Sequence, residues 1–211
     1  MYHIINGLLK LKSLLPFSIL YVLSDFIYLI VYYLIGYRKK VVRENLKRSF
    51  PDKTDRELLA TEKKFYHHLC DLLFESIKMA TISKEEMSRR MKILNYEPLL
   101  KHYDENKSVL LITSHYGNWE WTSSFSMYLP ADKPMYQVYK QLKNKFFDRL
   151  IYNLRIRFGS VNVEVNELFD VLSSLKQQGK MGMIGLISDQ SPSRKGIKYQ
   201  SQFLNQRTPV I

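Results

Sequence analysis

The strongest constraint on the fold is an apolar run at residues 14–36, in which Asp25 is the only charged residue. The run is long enough to cross a bilayer core, which takes about 20 residues. A charge at the bilayer centre costs roughly 2.5–3.5 kcal/mol, so Asp25 makes the span imperfect. We therefore predict a membrane-anchoring helix within residues 1–37, either as a single span or embedded in the interface. A buried helix of a soluble domain is the less favoured alternative. An interface-lying or tilted helix would suit the tyrosines of this region, which are Tyr21, Tyr28, Tyr32, Tyr33 and Tyr37.

A basic cluster follows the apolar run directly, with only Glu44 opposing it. Its members are Arg38, Lys39, Lys40, Arg43, Lys47 and Arg48. By the positive-inside rule, this cluster predicts that the rest of the chain is cytoplasmic. The same residues can bind anionic headgroups. A cleaved signal peptide is disfavoured, because the apolar run is long and no small-residue cleavage site follows it.

The charge balance indicates an anionic partner. The formal net charge is +12 over 211 residues, and chains this basic meet nucleic acid, a membrane surface or an acidic protein. Nucleic acid is disfavoured, because there is no zinc pattern, no RNP-like aromatic block and no clear helix-turn-helix. Cys70 is the single cysteine, so neither an internal disulfide nor a cysteine-based metal site can form.

The remainder, residues 38–211, reads as one α/β domain. Helices are predicted over 38–49 and from the capping residues 52–55 to about residue 80. The adjacent His67 and His68 on the second helix are expected to be surface or half-buried residues. Strand-like runs occupy 108–114, 135–139, 161–165 and 181–188, and helical patterns at 144–158 and 167–178 lie between them. This alternation predicts a mixed, largely parallel sheet flanked by helices.

The candidate catalytic residues are His115 and Glu120, which follow the first predicted strand. Ligands bind at the carboxyl ends of parallel strands. Gly117 permits a tight turn, and Asn118 is a good N-cap for a helix starting near Trp119. Glu120, in the first helical turn, could then fold back toward His115 and orient it as a general base. The spacing alone equally allows a histidine that only caps a helix or packs at a strand end.

The segment His115-Tyr-Gly-Asn-Trp-Glu120 resembles the His-x4-Asp/Glu motif of the glycerolipid and lysophospholipid acyltransferase superfamily. Its Asn-Trp-Glu ending resembles more narrowly the late (secondary) acyltransferases of lipid A biosynthesis. Segments similar to other blocks of that family follow in the expected order. They are the apolar run with Arg38–Pro51, residues 139–159 from Tyr139 to Gly159, and Ser188-Asp-Gln190. The resemblance implies a glycerolipid acyltransferase-like fold.

The resemblance also implies a reaction. An acyl chain would move from acyl carrier protein to a hydroxyl of an acylated glucosamine disaccharide, the anionic glycolipid precursor of lipid A in lipopolysaccharide. His115 would be the general base and Glu120 would orient it. No metal, other cofactor or acyl-enzyme is implied. The expected location is the cytoplasmic face of the bacterial inner membrane.

By the same resemblance, eight further residues are expected to bind substrate. They are Asn118, Trp119, Lys140, Asn144, Asp148, Arg155, Asp189 and Gln190. Lys140 departs from the arginine usual in the family and offers a point charge without a bidentate fork. Asp189 ends the strand at 181–188, where it could pair with Lys140 or another basic residue of the 139–159 block, or only cap a turn. Basic surfaces are expected around Lys140, Lys143, Lys145, Arg149, Arg155 and Arg157, and around Arg194, Lys195, Lys198 and Arg207.

Two alternatives remain open from the sequence. An acyltransferase of the same superfamily could act on another acceptor, such as an amino lipid or a glycosylated phosphoinositol. Phe203-Leu-Asn205 resembles the start of a Phe-Phe-Gly-like block beyond which the family continues, so a C-terminally truncated member is expected. An inactive membrane-bound fragment is therefore the other alternative.

Overall fold

The computed structural model describes residues 2–105, 107–130, 132–190 and 199–210. The α-helices are α1 (Tyr2–Ser13), α2 (Phe17–Leu29), α3 (Lys39–Ser49), α4 (Asp55–Lys78), α5 (Lys84–Arg90), α6 (Glu97–Asp104), α7 (Lys145–Arg155) and α8 (Leu168–Gln177). A π-helical stretch, Ile30–Ile35, continues α2, and 3₁₀ helices occupy Trp119–Tyr128, Ile156–Phe158 and Val165–Glu167. The strands are β1 (Val109–Thr113), β2 (Met135–Tyr139), β3 (Val161–Glu164), β4 (Met183–Ile187), β5 (Tyr199–Phe203) and β6 (Gln206–Val210).

The chain forms two compact units. We call Met1–Leu14 with Ser76–Asp189 the sheet unit, and Leu15–Glu75 with Gln190–Ile211 the helical unit. The apolar run therefore belongs to the same unit as the basic helix α3 and most of α4.

The sheet unit contains a four-stranded sheet in the order β1-β4-β2-β3. All three strand pairs are parallel. This arrangement confirms the predicted α/β class and its largely parallel sheet, and the four strands lie where the apolar runs predicted them. The order places β4 between β1 and β2, so the carboxyl ends of β1 and β4 are neighbours.

The core of the sheet unit explains why β4 is so apolar. Met183 and Ile184 at its start are 0% and 5% exposed. Met183 joins Phe125, Leu129 and Met135 in a buried cluster. A strand covered on both faces carries apolar residues continuously, and the run at 181–188 has this composition. β1 instead alternates, with Leu110 and Ile112 exposed.

The predicted start of α4 is confirmed by its capping contacts, and α5 begins with a similar cap. At the start of α4, Glu57 N–H donates to Thr54 Oγ1 at 3.4 Å, and Thr54 N–H donates to Glu57 Oε2 at 2.9 Å. This reciprocal arrangement is a capping box. At the start of α5, the side chain of Ser83 accepts a hydrogen bond from Glu86 N–H at 3.1 Å.

In the helical unit, α2 and the π-helical stretch run together over Phe17–Ile35, with a mean hydropathy of 1.9. Within the described part of the chain, this is the one helix long and apolar enough to cross a membrane. It ends at Gly36, whose φ of 64° is the left-handed conformation that glycine adopts readily.

An antiparallel hairpin, β5–β6, completes the helical unit and was not predicted. Its turn residues, Leu204 and Asn205, have φ of 48° and 56°, the pattern of a type I′ turn. Asn205 Nδ2 also donates to the backbone carbonyl of Arg48 at 3.0 Å, so the turn is fastened to α3. Of the predicted basic surface in this region, Arg194, Lys195 and Lys198 lie outside the described residues.

Candidate active site

His115 and Asp189 meet at the carboxyl edge of the sheet. Thr113 of β1 is in register with Ile187 of β4, and each of the two site residues lies two positions further along its strand. His115 Nδ1 is 2.6 Å from Asp189 Oδ1, and His115 N–H donates to Asp189 Oδ2 at 2.8 Å. The carboxylate therefore contacts both the ring and the backbone of one residue, which fixes the orientation of the imidazole.

The electrostatics of Asp189 suit this role. Partial burial raises the pKa of Asp189, but the hydrogen bonds from the ring and backbone of His115 outweigh burial and hold the pKa below its ordinary value. Asp189 is therefore ionised at neutral pH. An ionised carboxylate on Nδ1 selects the tautomer with hydrogen on Nδ1 and stabilises the imidazolium.

This contact corrects an expectation. The sequence suggested that Asp189 would pair with Lys140 or a basic residue of the 139–159 block, or would only cap a turn. Asp189 instead binds His115. A signal for this was present in the sequence, since both residues directly follow predicted strands, but their contact also requires β1 and β4 to be neighbours.

The turn after His115 leads into the 3₁₀ helix Trp119–Tyr128. Gly117 has a φ of 56°, so a left-handed residue makes the turn as expected. Asn118 occupies the N-cap position, but its side chain forms no capping hydrogen bond there. The ring of Trp119 meets that of His115 edge-on, with 5.0 Å between centroids. Trp119 thus packs against the imidazole that Asp189 orients.

Glu120 does not form the contact with His115 that the spacing suggested. The carboxylate of Glu120 instead forms a bidentate ion pair with Arg155. Arg155 Nε donates to Oε2 at 2.8 Å and Arg155 Nη2 donates to Oε1 at 2.7 Å. The side chains of Arg155 and Glu120 are 21% and 16% exposed. The reason is geometric: a planar guanidinium matches both carboxylate oxygens at once, while Asp189 already occupies His115 Nδ1.

Arg155 is held firmly at the end of α7. Its backbone carbonyl accepts a hydrogen bond from Ser160 Oγ at 2.6 Å, and Leu154 and Phe158 on either side of it are buried. Gly159, which has a φ of 97° in the left-handed region, reverses the chain after Phe158. The Glu120–Arg155 ion pair therefore connects the first turn after His115 to the well-packed end of α7.

The remaining candidate residues have varied surroundings. Asn144 caps α7, accepting from Phe146 and Phe147 N–H at 3.0 and 3.3 Å, and Asp148 Oδ1 accepts from Leu142 N–H at 2.8 Å. Both contacts shape the loop after β2. Lys140 is exposed at the carboxyl end of β2, on the site's edge of the sheet, and Gln190 follows Asp189 in the chain.

Two members of the expected basic surface are engaged locally. Lys145 Nζ donates to Gln141 Oε1 at 2.9 Å, and Arg157 Nη1 donates to the carbonyl of Met79 at 2.9 Å. In the described ranges, no group of three or more His, Cys, Asp or Glu residues could hold a metal ion. Cys70 is buried in α4, and burial raises the pKa of its thiol.

The comparisons identify the family. A comparison with curated proteins gave no match. A family model described as bacterial lipid A biosynthesis acyltransferase matches residues 1–208, nearly the whole chain. The match includes both site residues at the sheet edge and the Glu120–Arg155 pair. The chain therefore belongs to the bacterial lipid A biosynthesis acyltransferase family.

Proposed function

We propose that this protein transfers a fatty acyl chain from acyl carrier protein to a hydroxyl of a lipid A precursor. The observation that carries the proposal is the imidazole of His115, held by the ionised Asp189 at the carboxyl edge of a parallel sheet. The family assignment supplies the reaction class, acyl transfer in lipid A biosynthesis. The geometry supplies an oriented base able to activate a hydroxyl.

In the proposed reaction His115 acts as the general base. With hydrogen on Nδ1, the lone pair of the neutral imidazole lies on Nε2, which accepts the proton of the acceptor hydroxyl. The hydroxyl oxygen attacks the thioester carbonyl carbon, a C–O bond forms, and the C–S bond then breaks. The imidazolium returns its proton to the departing thiolate. Asp189 stabilises the transient positive charge, and no covalent acyl-enzyme is required.

We propose that Glu120 belongs to this machinery as a positioning residue. Its carboxylate neutralises Arg155 and anchors the segment that carries Trp119 against the imidazole. A displacement of about 1 Å of a catalytic group can cost about 100-fold in rate. The Glu120–Arg155 pair can therefore matter for turnover without contacting the proton that moves.

The acceptor and the carrier protein are proposed from charge. Lys140 and Gln190, with Asn118, Trp119, Asn144 and Asp148, remain candidate contacts for substrate. An anionic glycolipid and an acidic carrier protein both favour a basic surface, and the net charge of +12 fits such partners. The cytoplasmic face of the inner membrane is the proposed location, supported by the basic cluster after the apolar helix.

Acyl transfer can be measured directly with the full chain in detergent or lipid vesicles, acyl-loaded carrier protein and a lipid A precursor. His115→Ala is expected to reduce turnover by about 10²–10⁴-fold. His102→Ala is the matched control, because His102 is a half-exposed histidine of α6 that forms an ion pair with Glu105. Full activity in His115→Ala would refute the assignment of the base.

Lipids of a deletion strain test the acceptor. Loss of one acyl chain from lipid A, restored by the wild-type gene and not by the His115→Ala allele, supports the proposal. Unchanged lipid A with a change in another membrane lipid would assign the same chemistry to a different acceptor and refute lipid A as the substrate.

A further inference from the structure

The apolar helix Phe17–Ile35 turns one narrow face toward the rest of the helical unit. Within the unit, the fully buried positions on this face are Leu20, Ser24 and Tyr32, with Phe17 and Tyr28 nearly so. Their spacing of three or four residues marks a single helical stripe. This stripe includes a serine and two tyrosines, so the inner face is the more polar one.

Polar contacts join this helix to α4 over most of its length. From one end to the other they are Tyr21 Oη to Glu75 Oε1 at 3.0 Å, Ser24 Oγ to Asp71 Oδ1 at 2.7 Å, Asp25 Oδ1 to His67 Nδ1 at 3.3 Å, and Tyr32 Oη to Glu62 Oε1 at 3.0 Å. The rings of Tyr28 and His67 also stack, with centroids 4.2 Å apart. The numbering rises along one helix and falls along the other, so the two helices are antiparallel.

The opposite face is apolar and exposed, and we call it the apolar face. Val22, Phe26 and Leu29 are 67%, 61% and 50% exposed, and Leu34 is 79% exposed. In a soluble helix pair the apolar side chains face inward. Here a second set of apolar side chains faces outward, and a continuous exposed apolar face of this kind marks an interaction site.

The contacts with α4 argue against a helix that crosses the bilayer. The contacts from Tyr21 to Tyr32 extend over roughly 16 Å of helix at 1.5 Å per residue. If this helix crossed the membrane, α4 would be drawn to the same depth with Glu62, Asp71 and Glu75. Each such group costs roughly 2.5–3.5 kcal/mol at the bilayer centre, and intramembrane carboxylates are rare.

We infer that the helix Phe17–Ile35 lies in the plane of the membrane interface, with its apolar face in the lipid and α4 on the aqueous side. An interfacial helix of this kind sits about 5–10 Å into the headgroup and acyl boundary. The partner is a lipid surface that contains anionic headgroups, because the basic helix α3 follows Gly36 and has no buried residue. This inference rests on the contacts within the helical unit and holds whatever reaction the sheet unit performs.

Membrane topology distinguishes an interfacial helix from a helix that crosses the bilayer. Single cysteines replace Lys12 and Lys40, on either side of the helix, in a full chain with Cys70→Ser. Labelling with a membrane-impermeant maleimide is compared in spheroplasts and inverted vesicles. For an interfacial helix both positions are labelled from the same side of the membrane. Labelling of the two positions from opposite sides overturns the inference.

Depth provides a second, independent readout. Phe26 is central in the helix, so a nitroxide on Phe26→Cys would lie about 15 Å deep in a spanning helix, half of a core about 30 Å thick. We expect a depth of about 5–10 Å by oxygen and nickel-complex accessibility in vesicles with anionic lipid. A central depth contradicts the inference.

Membrane partitioning tests whether the apolar face enters the lipid. Val22→Glu with Phe26→Glu is expected to weaken flotation with anionic vesicles by at least about tenfold, because two embedded apolar side chains are lost. Leu94→Glu, an exposed apolar residue of the sheet unit at 77% exposure, is the matched control. Unchanged partitioning in the double variant, with helicity retained by circular dichroism, overturns the inference.

Discussion

At the scale of single residues, the site depends on which carboxylate binds which basic side chain. Asp189 holds the imidazole of His115, and Glu120 holds the guanidinium of Arg155. Asp189 lies close to His115 in the fold, and Glu120 lies close to it in the sequence. The two carboxylates have different partners and therefore different roles. Asp189 fixes the imidazole ring, and Glu120 fixes the segment beside it.

The contact of Asp189 with Nδ1 gives the first prediction. Asp189→Asn removes the charge that stabilises the imidazolium and permits the wrong tautomer, so kcat is expected to fall by about 10²–10⁴-fold with little change in KM. Steady-state acyl transfer measures this effect. Asp170→Asn, an exposed aspartate in the first turn of α8, is the control. If kcat is unchanged in Asp189→Asn, Asp189 does not orient the base.

The Glu120–Arg155 pair gives the second prediction. Glu120→Gln and Arg155→Lys each break the two-pronged contact, and each is expected to lower both stability and turnover. The double variant should lose little more than either single variant, giving a coupling energy of about 0.5–3 kcal/mol in a double-mutant cycle. Denaturant unfolding and kcat provide the two readouts. Additive losses would mean that the two residues act independently.

At the scale of elements, loops at the carboxyl edge are organised by short polar contacts. Asn144 begins α7 by accepting two backbone hydrogen bonds, and Asp148 of α7 accepts a hydrogen bond from Leu142 N–H, which holds the loop to the helix. α7 then delivers Arg155 to Glu120. Residues expected to bind substrate can therefore act on the site through the helix that they start.

Asn144 offers a way to separate these roles. Asn144→Ala removes the cap and is expected to destabilise the protein by about 0.5–2 kcal/mol, whereas Asn144→Ser preserves a capping oxygen and should restore most of that loss. Unfolding midpoints measure the stability, and KM is measured for each variant. If Asn144→Ser regains stability but KM for the acceptor stays raised, Asn144 also contacts substrate.

At the scale of the whole molecule, carboxylates in both units are expected to make the stability of the protein sensitive to acid. Burial raises the pKa of Glu62 in the helical unit, but hydrogen bonds from Arg43 and Tyr32 outweigh burial and hold the pKa below its ordinary value. Asp189 in the sheet unit behaves likewise. A carboxylate with a lowered folded-state pKa contributes stability above its unfolded pKa of about 4, and this contribution is lost as the pH falls toward the folded value.

Stability is therefore expected to be level near neutral pH and to decrease progressively below about pH 5. Glu62 should contribute more than Asp189, because its side chain is 1% exposed and that of Asp189 is 40% exposed. Glu62→Gln is expected to flatten the acid limb of a stability profile measured by denaturant unfolding between pH 3 and 7. An unchanged acid limb in Glu62→Gln would rule out this source of acid sensitivity.

The sequence by itself determined the local elements and the placement of a histidine directly after β1. Strand-length apolar runs, helical periodicity and capping residues act over a few positions, so the strands of the sheet and the starts of α4 and α7 could be predicted closely. The position of His115 after β1 followed from the same local reasoning. The 3₁₀ form of Trp119–Tyr128 and the hairpin β5–β6 did not, because packing and pairing select them.

Only the tertiary structure decided the partners. The contact of His115 with Asp189 spans 74 positions and that of Glu120 with Arg155 spans 35, and neither is encoded by a spacing. The order β1-β4 brings the first pair together, and the end of α7 provides the second. For the apolar run, the sequence allowed either a membrane span or an interfacial helix, and the contacts with α4 favour the interfacial helix. Hydropathy is a property of one segment, whereas the cost of embedding a helix depends on everything packed against it.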